Sequence, residues 1–306
     1  MFFKSSSIKD KLTATGATVN EKESMACHTT FRIGGAADYF VQVNNLKELK
    51  SVLSVAKKSR LPVRIIGKGS NVLIGDTGIN GIVIRLSGSF TNISREGNRI
   101  LAGAGASLAS CAAFAKENGL SGLEFAAGIP GTIGGAIWMN AGAYDGEMSQ
   151  IVTGVPYLNL QGRLVEAKKE ELAFGYRSSM FQNSGLLILG CEMELTPGNP
   201  EEIAHKMADL NNRRREKQPL EFPSAGSTFK RPEGSFAGKL IEEAGLKGYT
   251  AGDAQISEKH AGFVINKGSA SAQDVLDVIH HVQKTVYEKN GILLEPEVQY
   301  WERTIQ

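Results

Sequence analysis

The chain has 306 residues, too many for one core of ordinary size, and its 42% hydrophobic and 22% charged residues are the balance of a globular protein, not a disordered or fibrous one. Its 34 Lys and Arg are nearly cancelled by 32 Asp and Glu, leaving a formal charge of +2, so the total excludes a polyanion-coating protein and any anion site has to be local. Cys27, Cys111 and Cys191 lie far apart without C-x-x-C spacing, which argues against a disulfide framework or a zinc site and fits a reducing cytoplasm.

In chain order, MFFKSSSIKD has no sustained apolar run, and no stretch approaches the roughly 18 apolar residues of a membrane span, so the chain is expected to be neither secreted nor inserted. Leu46, Leu49, Leu53 and Ala56 predict a helix over 45–59 feeding a strand at Val63 to Ile66. Strands follow at Ile82 to Leu86 and Arg99 to Ala102, then a helix from Leu108 to Asn118 with Ser107 as N-cap and Gly119 at its end. Eight glycines in the twenty-eight residues from Gly119 to Gly146 are too dense for a regular element, so this stretch reads as a buried functional loop. Strand-like segments occupy 151–160 and 186–195 before Pro197-Gly198-Asn199-Pro200, where a domain boundary divides 1–198 from 199–306. The remaining third is expected to be α+β: a helix from about Glu201 to Lys217, a polar loop to Ser227, a short helix near 237–244 and a strand at Phe263 to Ile265. A helix then runs from Ala272 to Lys289 between Ser271 and Gly291, followed by a strand from Ile292 to Trp301.

Two Gly-rich segments suit an anionic or flat ligand. Gly67-Lys68-Gly69-Ser70-Asn71 follows a strand directly, and its small residues can turn several N–H groups into one phosphate nest, though a plain strand-end turn reads equally well. Neither a Walker loop nor G-x-G-x-x-G is present in it. Gly128-Ile129-Pro130-Gly131-Thr132-Ile133-Gly134-Gly135 continues into Asn140-Ala141-Gly142; its glycines let the chain lie against a flat or phosphate-bearing ligand while Pro130 stiffens the approach.

These segments, with TFRIGG at 30–35, GKGSNVL at 67–73 and GIPGTIGGAIWMNAGAY at 128–144, resemble the flavin half of UDP-N-acetylenolpyruvoylglucosamine reductases. PSAGSTFKRP at 223–232, KHAGFVIN at 259–266 and LEPEV at 294–298 resemble the substrate half, and the likeness spans about residues 22 to 302 in order. It implies an α+β protein: a bilobed FAD-binding domain of the vanillyl-alcohol-oxidase type, residues 1–198, followed by a smaller α+β substrate domain. Without a long tyrosine-bearing insertion after Tyr176-Arg177, the chain is similar to the shorter subclass. Asp145, where a small residue is expected, and Arg231, where the other subclass carries Asn, depart from the pattern.

Arg177 offers a planar fork for a carboxylate, with a serine beside it for a further hydrogen bond, although a lone loop arginine is commonly a surface or ion-pair residue. The resemblance implies that Arg177 holds the enolpyruvyl carboxylate, with Tyr176 beside it. A serine after glycine is usually a turn residue and a weak acid; here the resemblance implies that Ser227 is the proton donor. Glu295-Pro296-Glu297 is read as a strand whose alternation puts both carboxylates on one face, unless Pro296 bends it, and one of them also reads as a solvated edge charge; the family pattern makes Glu297 the partner of Arg177. Gly67, Lys68, Gly69, Ser70, Asn71, Gly128, Ile129, Pro130, Gly131, Thr132, Gly134, Gly135, Asn140, Ala141 and Gly142 are then assigned to non-covalent FAD, with NADPH as hydride donor. Tyr176, Arg214, Lys217, Lys230 and Arg231 are assigned to the nucleotide sugar.

The run Arg213-Arg214-Arg215-Glu216-Lys217 is too short for a nucleic-acid footprint; it is a solvated helix end or, with Lys217 foremost, a clamp for the UDP diphosphate. The histidines, His28, His205, His260, His280 and His281, show no ligand spacing, so no metal is expected, and only His260 is a candidate ligand contact. The partner expected is a small nucleotide sugar, with no nucleic acid, membrane insertion or obligatory protein partner. A flavin oxidase acting on an alcohol or sugar, and a non-catalytic flavin-binding electron-transfer subunit, are the alternatives.

Overall fold

A computed structural model describes residues 7–304; residues 1–6, on which part of the N-terminal reading rests, lie outside the described residues, as do 305 and 306. The chain divides into two compact units. The first takes the described residues up to Asn20, Phe40–Gly67 and Ile82–Arg214; the second takes Glu21–Tyr39, Lys68–Gly81 and the chain from Arg215 onward.

The first unit opens with helix α1, Ile8–Thr13, started by a capping box between Ser7 and Asp10. Helix α2, Leu46–Ser59, turns Leu49, Val52 and Ala56 inward; Asn45 caps its start and Arg60 closes it in the left-handed conformation. Strand Val63–Ile65 then pairs in parallel with Ile82–Ile84. Helix α3, Leu108–Glu117, begins at the expected Ser107 cap and ends short of Gly119, which sits at φ +65. The main sheet is antiparallel, in the order Leu164–Lys168, Val152–Leu158, Gly190–Glu194, Arg99–Gly103, Ile93–Glu96, with Leu187–Ile188 pairing beside Val152–Leu158. Leu164–Lys168 had not been anticipated: its hairpin register is set by partners such as Val155 opposite Ala167.

The Gly-rich stretch is not wholly irregular, contrary to expectation. Ile133–Met139 is a helix, α4, capped at Thr132 and closed by Asn140 in the left-handed conformation. Two glycines lower its intrinsic propensity, but its apolar residues Ile133, Ala136 and Ile137 are buried, and tertiary packing overrides propensity. The short helix α5, Met148–Ile151, follows, and α6, Pro200–Lys217, starts on proline, whose fixed φ suits a first helical position.

The second unit has an antiparallel sheet in the order Ser224–Ser227, Phe263–Asn266, Ala254–Ile256, Thr250–Ala251. The polar loop expected before Ser227 therefore contains a strand, made by pairing with Phe263–Asn266 and not by any pattern of its own. Helices α7, Ala237–Glu243, and α8, Ala272–Asn290, cover this sheet; their buried Leu240, Ile241, Val275, Val278, Val282 and Val286 join Phe31, Leu73, Phe229 and Val264 in one core. Ser271 and Asp274 form a capping box on α8, Asp76 accepts from the N–H groups of Ala272 at 2.8 Å and Gln273 at 3.2 Å, and Gly291 stops the helix at φ +68.

The expected strand Ile292 to Trp301 shrinks to Gln299–Trp301, which runs parallel to Val72–Ile74. Phe229–Pro296 is an isolated bridge, so Glu295 and Glu297 belong to no continuous strand.

Candidate active site

In the first unit Arg177 is the second central residue of a tight turn whose ends exchange two hydrogen bonds, Gly175 N–H to Ser178 O and Ser178 N–H to Gly175 O, both 3.2 Å. Its φ is +53, a left-handed conformation of the kind that costs a side-chain-bearing residue on the order of 1–3 kcal/mol and persists where the surroundings enforce it. The guanidinium lies over the Tyr176 ring, 5.4 Å from its centroid, and donates through Nη1 to Gly142 O at 3.5 Å. Ser179, the second serine after Arg177, is buried and donates to Trp138 O at 2.9 Å, so it braces the turn.

Gly142 belongs to a small hairpin, Gly142–Ala143 with Gly146–Glu147, whose tip residues Tyr144 and Asp145 stand at φ +51 and +65. Two successive left-handed residues make the turn that Asn-Gly usually occupies, and Asp145, which departs from the family pattern, stands at its second central position.

The Gly-rich segment packs largely on its own unit. Leu108 N–H donates to Gly131 O at 3.1 Å, Ile133 N–H to Ala106 O at 2.8 Å and Gly134 N–H to Ala104 O at 2.9 Å. Gly67 meets it from the end of strand Val63–Ile65: a Cβ at Gly67 would lie 2.4 Å from Thr132 Oγ1, closer than real atoms approach. Gly135 is the opposite case. It is exposed on the first turn of α4, where a Cβ would have Thr132 Oγ1 at 3.7 Å as its nearest neighbour, leaving an open backbone surface of the kind a flat, phosphate-bearing group can lie on.

Arg214 is drawn to the same segment. A Cβ on Gly128 would be 3.2 Å from its Nη1 and 2.5 Å from Asn211 Oδ1, so this half-buried guanidinium lies against Gly128. Burial pushes its pKa below the usual arginine range, and Tyr144 opposes that shift. Asn140, expected at the flavin, spends its buried amide internally: Nδ2 donates to Gly175 O at 3.1 Å and Oδ1 accepts from Ser149 N–H at 2.9 Å. Ile129, Gly131, Thr132 and Ala141 complete the segment, and Pro130 is exposed.

In the second unit Ser227 and Glu297 come together through main-chain pairing. Glu297 N–H donates to Thr228 O at 2.8 Å and Lys230 N–H to Glu295 O at 2.9 Å, on either side of the Phe229–Pro296 bridge. Thr228 is buried, its Oγ1 accepting from Val264 N–H at 3.1 Å, so alternation turns Ser227 outward, and it is exposed. Lys230 Nζ is ion-paired with the Glu295 carboxylate.

Asn71 clamps the other side of Glu297. Its Nδ2 donates to Glu297 O at 3.1 Å and its carbonyl accepts from Gln299 N–H at 2.9 Å. Gly69, at φ +61, leaves no room for a Cβ, which would fall 2.2 Å from His28 O; its carbonyl accepts from Thr30 N–H at 3.2 Å, and Thr30 Oγ1 reaches on to Ser224 O at 2.6 Å. Lys68 is exposed and Ser70 half-buried. Lys217, the last residue of α6, is exposed, and Arg231 stacks on Phe236, 4.6 Å from the ring centroid. His260 accepts from Gly262 N–H through Nδ1 at 3.1 Å, and burial lowers its pKa, favouring a neutral ring.

Among the described residues there is no group of three or more His, Cys, Asp or Glu able to hold a metal, and no helix long and apolar enough to cross a membrane.

Two family models match the chain: an FAD binding domain over residues 37–168 and the C-terminal domain of UDP-N-acetylenolpyruvoylglucosamine reductase over 218–301. The reductase of Lachnoclostridium phytofermentans is 47% identical over 296 residues, covering 95% of each chain, and that of Clostridioides difficile is 50% identical over 277 residues, covering 90% of this chain and 91% of the relative. The chain belongs to the UDP-N-acetylenolpyruvoylglucosamine reductase family. As a reductase of this family it is a flavin-dependent oxidoreductase of α+β fold. A solved UDP-N-acetylenolpyruvylglucosamine reductase from Thermus caldophilus superposes with a TM-score of 0.82 at 37% identity, covering 93% of this chain and 99% of that one.

What sequence reading missed in this reductase are the residues that hold the named ones: Gln182 behind Arg177, Thr30 behind Gly69 and Thr228 behind Glu297. Amides and threonines are common on solvated surfaces, and nothing in their spacing marks them. The signal available was their place inside quoted strings, TFRIGG for Thr30 and GSTFK for Thr228.

Proposed function

We propose that the chain reduces UDP-N-acetylglucosamine enolpyruvate to UDP-N-acetylmuramate, a step of peptidoglycan precursor synthesis, with Arg177, Ser227 and Glu297 as its catalytic residues. The observation that carries the residue assignment is the bridge between 228–230 and 295–297, which hydrogen-bonds Glu297 to Thr228, the residue next to Ser227, although the two are far apart in the chain. The open backbone at Gly135 and the contact of Gly67 with Thr132 suit a flat diphosphate-bearing cofactor and support FAD held there without a covalent bond. FAD held there would supply the hydride chemistry, with NADPH as donor and the enolpyruvyl carbon distal to the carboxylate as acceptor.

The chain's own residues supply position, charge and a proton. Arg177 presents two parallel N–H donors to the substrate carboxylate, fixing its plane and opposing the charge that builds there as the double bond is reduced; preorganised donors of this kind contribute several kcal/mol. Ser227 Oγ delivers its proton to the carbon next to the carboxylate, completing addition of H⁻ and H⁺ across the double bond. Glu297 supports that proton transfer electrostatically. Tyr176, Lys217, Lys230 and Arg231, with Arg214, hold the nucleotide sugar, cations facing its diphosphate. Functionally, residues 1–198, apart from Tyr176 and Arg177, serve the flavin and 199–306 the substrate, and the enzyme works in the cytoplasm without an obligatory protein partner.

The test is spectroscopic. Purified protein is yellow, acid precipitation releases the flavin, anaerobic NADPH bleaches it and the enolpyruvyl sugar restores the colour. Oxygen uptake with simple sugars or alcohols, and no recovery of colour with the enolpyruvyl sugar, overturns this reading in favour of a flavin oxidase.

A further inference from the structure

We propose that Gln182 is the positioning residue that holds Arg177 in its working geometry, an inference that rests on the assignment of Arg177 to the enolpyruvyl carboxylate. A turn whose second central residue stands at φ +53 and is not glycine relaxes unless neighbouring groups pin it. One amide does so here. Gln182 Nε2 donates to Arg177 O at 2.9 Å and to Trp138 O at 3.0 Å, so both hydrogens of a single NH₂ group close on two carbonyls. Both partners are acceptors, which leaves the amide one usable orientation.

Trp138 lies in the last turn of α4, and the tie is doubled by Ser179 Oγ on the same carbonyl and by Asn140 Nδ2 on Gly175 O. The first turn of α4 is built from the Gly-rich segment assigned to the flavin. Arg177 is thus strapped to the far end of the helix that starts at the cofactor segment, roughly 10 Å along a seven-residue helix. A guanidinium shifted by about 1 Å no longer presents both donors to one carboxylate, and misplacement on that scale can cost about 100-fold in rate. Gln182 acts through the main chain of Arg177 and serves the step at the substrate, not the reduction of the flavin.

The flavin-loaded, full-length enzyme is followed by anaerobic stopped flow. Gln182→Leu slows reoxidation by the enolpyruvyl sugar about 10- to 100-fold, while bleaching by NADPH and retention of flavin stay within about twofold of wild type. Gln182→Lys, which keeps a donor for the two carbonyls, recovers most of the loss. In an Arg177→Ala background Gln182→Leu costs nothing further, because there is no guanidinium left to place.

Wild-type reoxidation in Gln182→Leu, equal slowing of both half-reactions, or the same penalty in the Arg177→Ala background overturns the inference. Should Gln182→Leu not retain flavin, Gln182→Asn, too short to span both carbonyls, decides it: slow reoxidation sustains the role and a wild-type rate removes it. Normal reoxidation by Arg177→Ala alone sinks the assignment of Arg177 itself, an outcome separate from an active-site Arg177 that needs no Gln182.

Discussion

Asn71 and Glu297 are joined by the Asn71 side chain: Nδ2 donates to the Glu297 carbonyl at 3.1 Å, while the Asn71 carbonyl takes the N–H of Gln299 at 2.9 Å. A residue read in the sequence as part of a phosphate nest is, in the fold, a brace for the segment that carries a proposed catalytic carboxylate. Asn71→Asp keeps the shape but cannot donate. A lost hydrogen bond of this kind is worth about 1 kcal/mol, so reoxidation by the enolpyruvyl sugar is expected to slow about fivefold to tenfold with flavin content unchanged. Loss of flavin at a normal substrate step would instead make the nest the dominant role.

Ser227 is exposed, at the end of its strand, and its neighbour Thr228 is buried and hydrogen-bonded, so the serine can be altered without disturbing the ladder. In Ser227→Ala, NADPH should bleach the flavin at nearly the normal rate, because no substrate proton moves in that step. Reoxidation should fall roughly 10²–10⁴-fold, the scale for losing a general acid, with Ser227→Cys retaining more. Equal slowing of both steps in stopped flow would give Ser227 a shaping role in place of a chemical one.

Gly67 is required by contact, not by flexibility. In Gly67→Ala the new methyl group would stand 2.4 Å from Thr132 Oγ1 and push the end of the strand off the start of α4. Flavin affinity is expected to drop by more than about tenfold, equivalent to about 1.4 kcal/mol. Adding Thr132→Ala removes the clashing oxygen and should restore part of it; recovery stays partial because α4 loses its N-cap, worth about 1 kcal/mol. Fluorescence titration of the apoprotein with FAD measures both, and unchanged affinity in the single variant would place the cofactor elsewhere.

Asp38 anchors the C-terminal segment. Burial alone would raise its pKa, but hydrogen bonds from Arg303 and Lys22 and from Gly81 N–H outweigh it and bring it from 3.8 to about 2. Its folded value lies below its unfolded one, so its stabilisation is complete above about pH 4 and is lost as pH falls from there towards 2. Solvent screening reduces the gain to about 1 kcal/mol. The stability gap between wild type and Asp38→Asn in denaturant titrations should therefore be flat from pH 7 to about pH 4 and close below it. A gap that narrows already between pH 7 and 5 would show that another group carries the effect.

The elements legible in the sequence were those specified within a turn or two of chain. Helix α3 starts at Ser107, α6 at Pro200, and α8 runs from Ser271 to Gly291, because caps and apolar periodicity are local physics. The two Gly-rich segments were also visible, since glycine marks places where backbone must come close. Arg177, Ser227 and Glu297 were named from family strings; their residue types alone also fitted a surface ion pair, a turn serine and an edge carboxylate.

Tertiary structure decided the rest. Strand Ser224–Ser227 exists through its pairing with Phe263–Asn266, and the expected strand at Glu295 is reduced to the isolated bridge of Pro296 with Phe229. Asn71 and Glu297 are 226 positions apart and Asn140 and Gly175 are 35 apart, and no local pattern in the chain announces either hydrogen bond. A side-chain amide carries the same donors on a surface as in a core; which carbonyl it meets is set by the packing of segments distant in sequence, and only the folded chain supplies that.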